Sequence, residues 1–105
     1  MKAYWIAHVD IADADHYSQY TQRAPAAFAA FGAKFLARGG RSEAMEGCKT
    51  PQRSVVIEFE SYEKAVACYH SAAYQEAKSY REEWAKAEII IVEGITLFKT
   101  HREPL

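Results

Sequence analysis

The sequence predicts a small α+β domain of split β-α-β type, with a four-stranded sheet and helices on one of its faces. Two observations predict this fold. Short segments in which apolar side chains alternate every two residues are separated by longer segments with helical spacing, in the order strand, helix, strand, strand, helix, strand. The chain has 105 residues, half of them apolar, which is enough for one domain with its own core.

The first strand is predicted over residues 2–9, which are rich in aromatic residues and alternate. Asp13 is a good N-cap for the helix that follows, and Asp15 lies favourably in its first turn. Pro25 interrupts this helix and is expected to kink it or to restart it, and Gly32 closes it. The apolar residues at helical spacing are Tyr17, Tyr20, Ala24, Ala27, Phe28 and Phe31.

The second strand is predicted over residues 33–38 and the third over residues 53–60, which alternate most clearly. Gly39 and Gly40 permit a turn or a β-bulge that most residues could not adopt. A polar loop over residues 41–52 joins the two strands.

Two serines are predicted to start helices in the second half of the chain. Ser61 caps the first, and Ser71 begins another that runs to about Lys86. The fourth strand is predicted over residues 88–94, with an extension through residues 95–98 left open.

We therefore expect a single domain over residues 1–98, followed by a polar tail over residues 99–105. Thirteen basic and fourteen acidic residues are spread evenly, so no basic stripe for nucleic acid is expected. No apolar run is long enough to span a membrane, and polar residues interrupt the N-terminus where a signal peptide would be apolar. Cys48 and Cys68 lack metal-ligand spacing, which favours a cytoplasmic protein without a metal or other cofactor.

Alternation along each strand divides the side chains between the two faces of the sheet. The uniformly apolar face is expected to pack against the helices, and it comprises Trp5, Ala7, Phe35, Val55, Ile57, Phe59, Ile90 and Val92. The other face then combines apolar side chains with His8, Arg38, Glu58 and Glu93. A bulge in any strand would reverse this assignment for that strand.

Charged groups on a half-apolar face are costly unless they pair, contact water or bind a ligand. We therefore expect two copies of the chain to pair through their open sheet faces, with a cavity between them. In that cavity His8 is the candidate general base and Arg38 the group that binds an anion. The further candidates, which would orient Arg38, move protons or donate hydrogen bonds, are Glu58, Glu93, Tyr69 and Tyr74. A structural ion pair between Arg38 and one of the glutamates is an equally good interpretation.

Several segments together carry a family resemblance: FGAKFLARGG at residues 31–40, RSVVIEF at residues 53–59, and VEG at residues 92–94. With these, the chain resembles the bacterial family of unknown function DUF1330 from Tyr4 to Gly94. It departs at Ala33, where the family often has glycine, and at Ala72-Ala73, where it often has Pro-Glu. The resemblance implies a ferredoxin-like fold of the dimeric α/β-barrel superfamily, and it implies no activity.

Fold relatives of this superfamily include cofactor-free monooxygenases, isomerases, haem-handling enzymes and binding proteins, and the fold alone does not choose among them. The sequence contains no asparagine, so an asparagine-dependent oxygenase site is not expected. The first hypothesis is a homodimer that binds a small, anionic molecule in the cavity. The alternatives are a cofactor-free monooxygenase- or isomerase-like enzyme that uses the same cavity, and a purely structural dimer.

Overall fold

The structure, a computed structural model, describes residues 1–47 and 49–95. Its elements follow the predicted order: β1 (Ala3–Ile11), α1 (Ala14–Ala30), β2 (Lys34–Arg38), β3 (Arg53–Phe59), α2 (Tyr62–His70), α3 (Ala72–Ser79) and β4 (Ala85–Glu93). The predictions for Cys48, for a strand beyond residue 95 and for the tail lie outside the described residues. None of the described helices is long and apolar enough to cross a membrane.

The four strands form one antiparallel sheet in the order β2-β3-β1-β4, and the helices cover one of its faces. This confirms the predicted ferredoxin-like, split β-α-β arrangement. Trp5 on the central strand β1 is the middle of the core, with the ring centroids of Phe28 and Tyr74 each 5.0 Å from its own. Aromatic side chains from both layers therefore interlock around one tryptophan.

The predicted caps hold in the structure. The Asp13 side chain accepts a hydrogen bond from the backbone N–H of His16, and the helix α1 then continues through Pro25 as one element rather than restarting there. Ser71 ends α2 and begins α3, because its hydroxyl accepts from the N–H of Tyr74 and donates to the carbonyl of Cys68.

The last helix is shorter than predicted, and β4 is longer. The helix α3 ends at Ser79, and β4 begins at Ala85 rather than at residue 88. Residues 85–88 read Ala-Lys-Ala-Glu, an alternation that pairs with the end of β1, where Ile11 lies opposite Ala85 and Asp10 opposite Lys86. Sheet pairing therefore outweighs the helix propensity of this segment.

The face assignment is right for β1 and β3 and wrong for β4. Directly paired residues of antiparallel strands share a face. Trp5 lies opposite Ile91 and Ala3 opposite Glu93, so both partners lie on the helix side, Glu93 at its exposed end. Ile90 and Val92, which were assigned to the helix side, instead lie exposed on the open face, at 63% and 46% exposure.

A β-bulge reverses the face of Arg38. Phe35 lies opposite Ile57, but the register then shifts, so that Ala37 lies opposite Val56 and Arg38 opposite Val55. Since Val55 is buried under the helices, Arg38 also lies on the helix side of the sheet. The predicted placement of Arg38 beside His8 is therefore wrong.

Candidate ligand-binding cavity

A cavity of about 240 Å³ lies between α1 and the helix-facing side of the sheet. The strands β1, β3 and β4 supply its floor, and α1 supplies one wall. Its surface is largely apolar and aromatic, including Trp5, Tyr17, Tyr20, Phe28, Phe35 and Ile57. A concave, mostly apolar site with a few polar groups is the usual form of a small-molecule site.

Within residues 1–47 and 49–95, three arginines line this cavity and no acidic residue does. Arg38 comes from the end of β2, Arg53 from the start of β3, and Arg81 from the turn between α3 and β4. Each guanidinium is charged at any physiological pH. The lining therefore carries three positive charges and supplies no carboxylate to balance them.

Arg81 is the most deeply buried of the three, at 6% exposure. Its Nη2 donates to the Tyr74 hydroxyl at 3.0 Å, and its guanidinium carbon lies 5.0 Å from the centre of the Tyr20 ring. Burial lowers the pKa of Arg81, but the Tyr74 and Tyr20 hydroxyls outweigh burial and raise it. No ion pair to Arg81 is present within residues 1–47 and 49–95, so a buried cation has only a neutral acceptor.

Arg53 has an unsatisfied donor. Its Nε is buried and is the one buried side-chain nitrogen or oxygen without a hydrogen-bond partner in the described part of the chain. Its guanidinium lies close under Gly39, where an added Cβ would be 2.5 Å from Nη1. Gly39 has a φ of +76°, which favours glycine, so the bend after β2 leaves room for Arg53.

Arg38 is exposed and stands where the cavity meets solvent, with its guanidinium carbon 4.4 Å from the centre of the Phe35 ring. Such stacking holds the guanidinium plane without occupying its N–H donors. Those donors remain available to an anion at this end of the cavity.

Two tyrosines lie beside Arg81: Tyr20, which also lines the cavity, and Tyr74. The hydroxyls of Tyr20 and Tyr74 lie 3.1 Å apart. Burial, and then the neighbouring Tyr74, raises the pKa of Tyr20 well above its ordinary value, and burial also raises the pKa of Tyr17. The Tyr17 and Tyr20 hydroxyls therefore keep their protons near pH 7 and can act as hydrogen-bond donors.

His8 and Glu58, two of the predicted site residues, lie on the open face. The His8 Nδ1 is 3.0 Å from the Ser54 hydroxyl, and the Glu58 carboxylate is 4.0 Å from the Lys2 ammonium. His8 also lines a pocket of about 170 Å³ with Asp10, Lys86 and Glu88. The role of His8 as a base stays a prediction.

The structure does not bring the predicted set together. Arg38 lies on the opposite side of the sheet from His8, and Glu93 lies at the end of β4 away from both. Tyr74 is fully buried beside the cavity, and Tyr69 packs on Trp5 with a centroid distance of 5.8 Å. Within the described ranges no group of His, Cys, Asp or Glu side chains is placed to hold a metal.

Arg53 and Arg81 are the candidate residues that sequence reasoning missed. Arg53 has the same strand parity as Val55 and Ile57, so alternation alone places it on the buried face. An arginine at a position that continues the buried face of a strand could therefore have indicated a site residue. Arg81 gave no such signal, because the predicted helix continued past it and the turn before β4 was not foreseen.

A family model of DUF1330, a domain of unknown function, matches residues 2–95. No curated protein matches the chain. Among solved structures, a protein of unknown function from Rhodopseudomonas palustris is similar with a TM-score of 0.73 and 16% identity, over 90% of this chain and 83% of that one.

Two further structures show the same fold at lower identity. SnoaB, a cofactor-independent oxygenase from Streptomyces nogalater, has a TM-score of 0.64 and 11% identity, over 93% of this chain and 98% of its own. A dimeric ferredoxin-like protein of unknown function from Bacteroides fragilis has a TM-score of 0.60 and 11% identity, over 89% and 96%. At these identities the similarity establishes the fold and leaves the chemistry to the residues.

Proposed function

The chain belongs to the DUF1330 family, and on this premise we propose that it binds a small anionic molecule in the cavity between α1 and the sheet. The observation that carries the proposal is the lining of that cavity, which in the described part of the chain has three arginines and no acidic side chain. Arg81 is buried and Arg53 is half-buried with its Nε unpaired, so an anion from outside would supply the counter-charge that the lining lacks.

The shape of the cavity limits the ligand to a small molecule with an apolar part. Its volume of about 240 Å³ lies below the range of roughly 300–1,000 Å³ that is usual for drug-sized ligands. Aromatic rings of Trp5, Phe28 and Phe35 line its body, and the arginine donors suit a carboxylate, which they can bind through two parallel hydrogen bonds. An aromatic carboxylate meets both requirements.

Thermal stability in the presence of benzoate tests this proposal. A ligand that binds only the folded state stabilises it by about 2.7 kcal/mol at a hundred times its Kd. We expect benzoate to raise the Tm in a concentration-dependent manner, and Arg38→Ala to weaken binding by about tenfold or more, because a hydrogen bond to a charged group contributes about 1.5–3 kcal/mol.

His8→Ala is the matched control, since His8 lies on the other side of the sheet. It should leave the effect of benzoate unchanged. Equal loss in both variants, or no Tm shift with any small carboxylate, would contradict an anion site in this cavity.

A cofactor-free enzyme is the second candidate, and the fold of SnoaB, described as a cofactor-independent oxygenase, favours it. Buried arginine and phenol donors would stabilise negative charge that develops on a bound oxygen atom. Among the residues that the structure describes, however, the cavity lining has no His, Asp or Glu side chain to accept a proton, so its ligand would have to enter already ionised. This favours binding over turnover. Recovery of the bound ligand unchanged after long incubation, measured by mass spectrometry, would support binding alone.

We also propose that two copies pair through their open sheet faces. Ile90 and Val92 are exposed there beside the half-buried Ile6 and Val56, and adjoining apolar side chains of this kind on a surface are typical of protein–protein interaction sites. A related fold from Bacteroides fragilis is described as dimeric, which supports the proposal. The free, buried thiol of Cys68 agrees with the further proposal of a cytoplasmic location.

Native mass spectrometry at micromolar concentration tests the pairing. We expect a dimer for the wild type and a monomer for Ile90→Asp, because a carboxylate in an apolar interface lacks a partner. Arg38→Ala should remain dimeric, since Arg38 lies on the helix side. A wild-type monomer would end the proposal.

A further inference from the structure

We infer that the ligand of this cavity is a dianion, with one acidic group bound by Arg53 and Arg38 and the second by Arg81. The inference rests on the proposed function, because it specifies the charge of the ligand in the same cavity. It follows from where the three arginines lie and from what each of them lacks.

The arginines form two separate cationic poles. Arg38 and Arg53 are neighbours at one end, since Arg38 lies opposite Val55, two residues after Arg53, and Gly39 packs on the Arg53 guanidinium. Arg81 belongs to the other end, where it lines the cavity with Ala87 and Ile89 of β4. The strand β1 lies between β3 and β4, so these two strands are about 10 Å apart, at about 4.8 Å for each step.

The surface between the poles is aromatic. Trp5 and Ala7 of β1 form the floor of the cavity between the poles. Tyr17 also lines the cavity, and the positive charges of Arg53 and Arg81 both act to lower the pKa of its hydroxyl. A ring between two acidic groups would lie over this floor with one group at each end. A long flexible diacid would lose more conformational freedom in a cavity of this volume, so a compact, rigid ligand fits better.

Neither pole has a counter-charge of its own in the described residues. The Nε of Arg53 is buried without a partner, and buried Arg81 has only the neutral hydroxyls of Tyr74 and Tyr20 as acceptors among the described residues. A monoanion would pair with one pole only, and if it bound at Arg38 and Arg53 it would leave the buried guanidinium of Arg81 without a counter-charge, which is costly. A dianion balances both.

Isothermal titration with isophthalate and with its monomethyl ester tests the inference. The two compounds share the ring and differ by one negative charge. We expect isophthalate to bind the wild-type protein at least about tenfold more tightly than the monoester, since the second carboxylate gains charged hydrogen bonds. One molecule should bind per chain.

Variants at both poles make the result specific. In Arg81→Met and in Arg53→Gln, the preference for isophthalate should fall to less than about threefold, while Arg23→Met, at a surface arginine on α1 outside the cavity, should keep it. Arg81→Lys provides a second test at the buried pole should the methionine variant not fold, because it retains the charge and loses the two-pronged geometry.

The outcomes separate this inference from the function on which it rests. Equal affinity for the two ligands in the wild type would overturn the dianion and leave the anion site standing. Binding of two monoester molecules per chain, one at each pole, would overturn it in the same way. Failure of both compounds and of benzoate to bind would overturn the proposed function itself.

Discussion

Charged side chains have different partners on the two faces of the sheet. On the open face, Lys2 forms a 2.9 Å ion pair with Glu60 and lies 4.0 Å from Glu58, and the His8 ring is within hydrogen-bond distance of Ser54. On the helix side, Arg81 is buried and Arg53 is half-buried with a buried Nε, and neither has a carboxylate partner among the described residues. These open-face groups have local partners, whereas the arginines on the cavity side have no carboxylate partner among the described residues.

This difference identifies the side of the sheet on which a ligand belongs. Charges that are exposed and paired change the free energy of folding little, since water screens them, and they do not indicate a binding site. Buried and unpaired charges cost several kcal/mol and need a compensating partner. The apolar side chains show the reverse distribution, because Ile90 and Val92 are exposed on the open face while Ile57 and Phe59 are fully buried. The helix-facing side therefore lacks an anion to pair with its arginines, and the open face lacks an apolar surface packed against Ile90 and Val92.

The largest expected effect compares one residue type on the two faces. Ile57→Ala should lower the free energy of unfolding by about 2–5 kcal/mol, because Ile57 is 1% exposed and its removal leaves a cavity in the core. Ile90→Ala should cost less, and its cost should fall on dilution as the proposed dimer dissociates. Urea titrations at several protein concentrations measure both. A large, concentration-independent loss in Ile90→Ala would place Ile90 in the core instead.

The sequence predicted the two central strands better than the two edge strands. Alternation on β1 and β3 is unambiguous, since every second residue is buried. On β4 the run Ile-Ile-Ile-Val is apolar at both parities, and only the Ala-Lys-Ala-Glu segment before it shows which parity faces the helices. Only Glu88 of this segment falls in the predicted strand, because the helix is predicted to run to about Lys86, so most of this signal is lost.

The candidate site was misplaced for a related reason. The bulge beside Leu36 reverses Arg38, and nothing in the residues 34–38 marks its position, because a leucine fits either face. Arg53 could have been found by extending the alternation of β3 by two residues. Arg81 could be placed in the cavity only if the end of α3 was known. That end is set by the pairing of β4 with β1, which is a contact between distant parts of the chain and leaves no mark in the local sequence pattern.

The next effect is confined to alkaline pH and to the helix side. Burial raises the pKa of the Cys68 thiol from 9.0 to about 11. The unfolded chain then loses this proton at a lower pH than the folded chain does, so stability is complete below pH 9 and falls as the pH rises towards 11. Since one pH unit corresponds to about 1.4 kcal/mol, raising the pKa from 9.0 to about 11 corresponds to a total loss of about 3 kcal/mol.

Cys68→Ala should remove this part of the alkaline loss and leave a cost that is constant with pH. Urea unfolding of both proteins at pH 8 and at pH 10.5 measures it. An unchanged difference between the two pH values would show that the Cys68 thiol is not the group responsible.

A smaller effect concerns the bend that makes room for Arg53. Gly39→Ala should destabilise the protein by about 1–2 kcal/mol, because Gly39 has a φ of +76°. It should also weaken benzoate binding, since the new Cβ would displace the Arg53 guanidinium. Gly40→Ala is the control, as a Cβ there meets no atom within 4 Å. Equal benzoate affinity in Gly39→Ala and Gly40→Ala would show that Arg53 does not contribute to the binding of benzoate.

The smallest expected effect lies at acid pH and on the open face. A hydrogen bond from the Lys2 ammonium lowers the pKa of Glu60 below its ordinary value of 4.5. The stability that this pair contributes is therefore present above pH 4.5 and is lost as the pH falls through the lowered pKa. Glu60→Gln should flatten the acid limb of the stability curve slightly at low salt. Because both groups are exposed, 1 M NaCl should abolish the difference, whereas a difference that survives salt would mean that a second chain buries this pair.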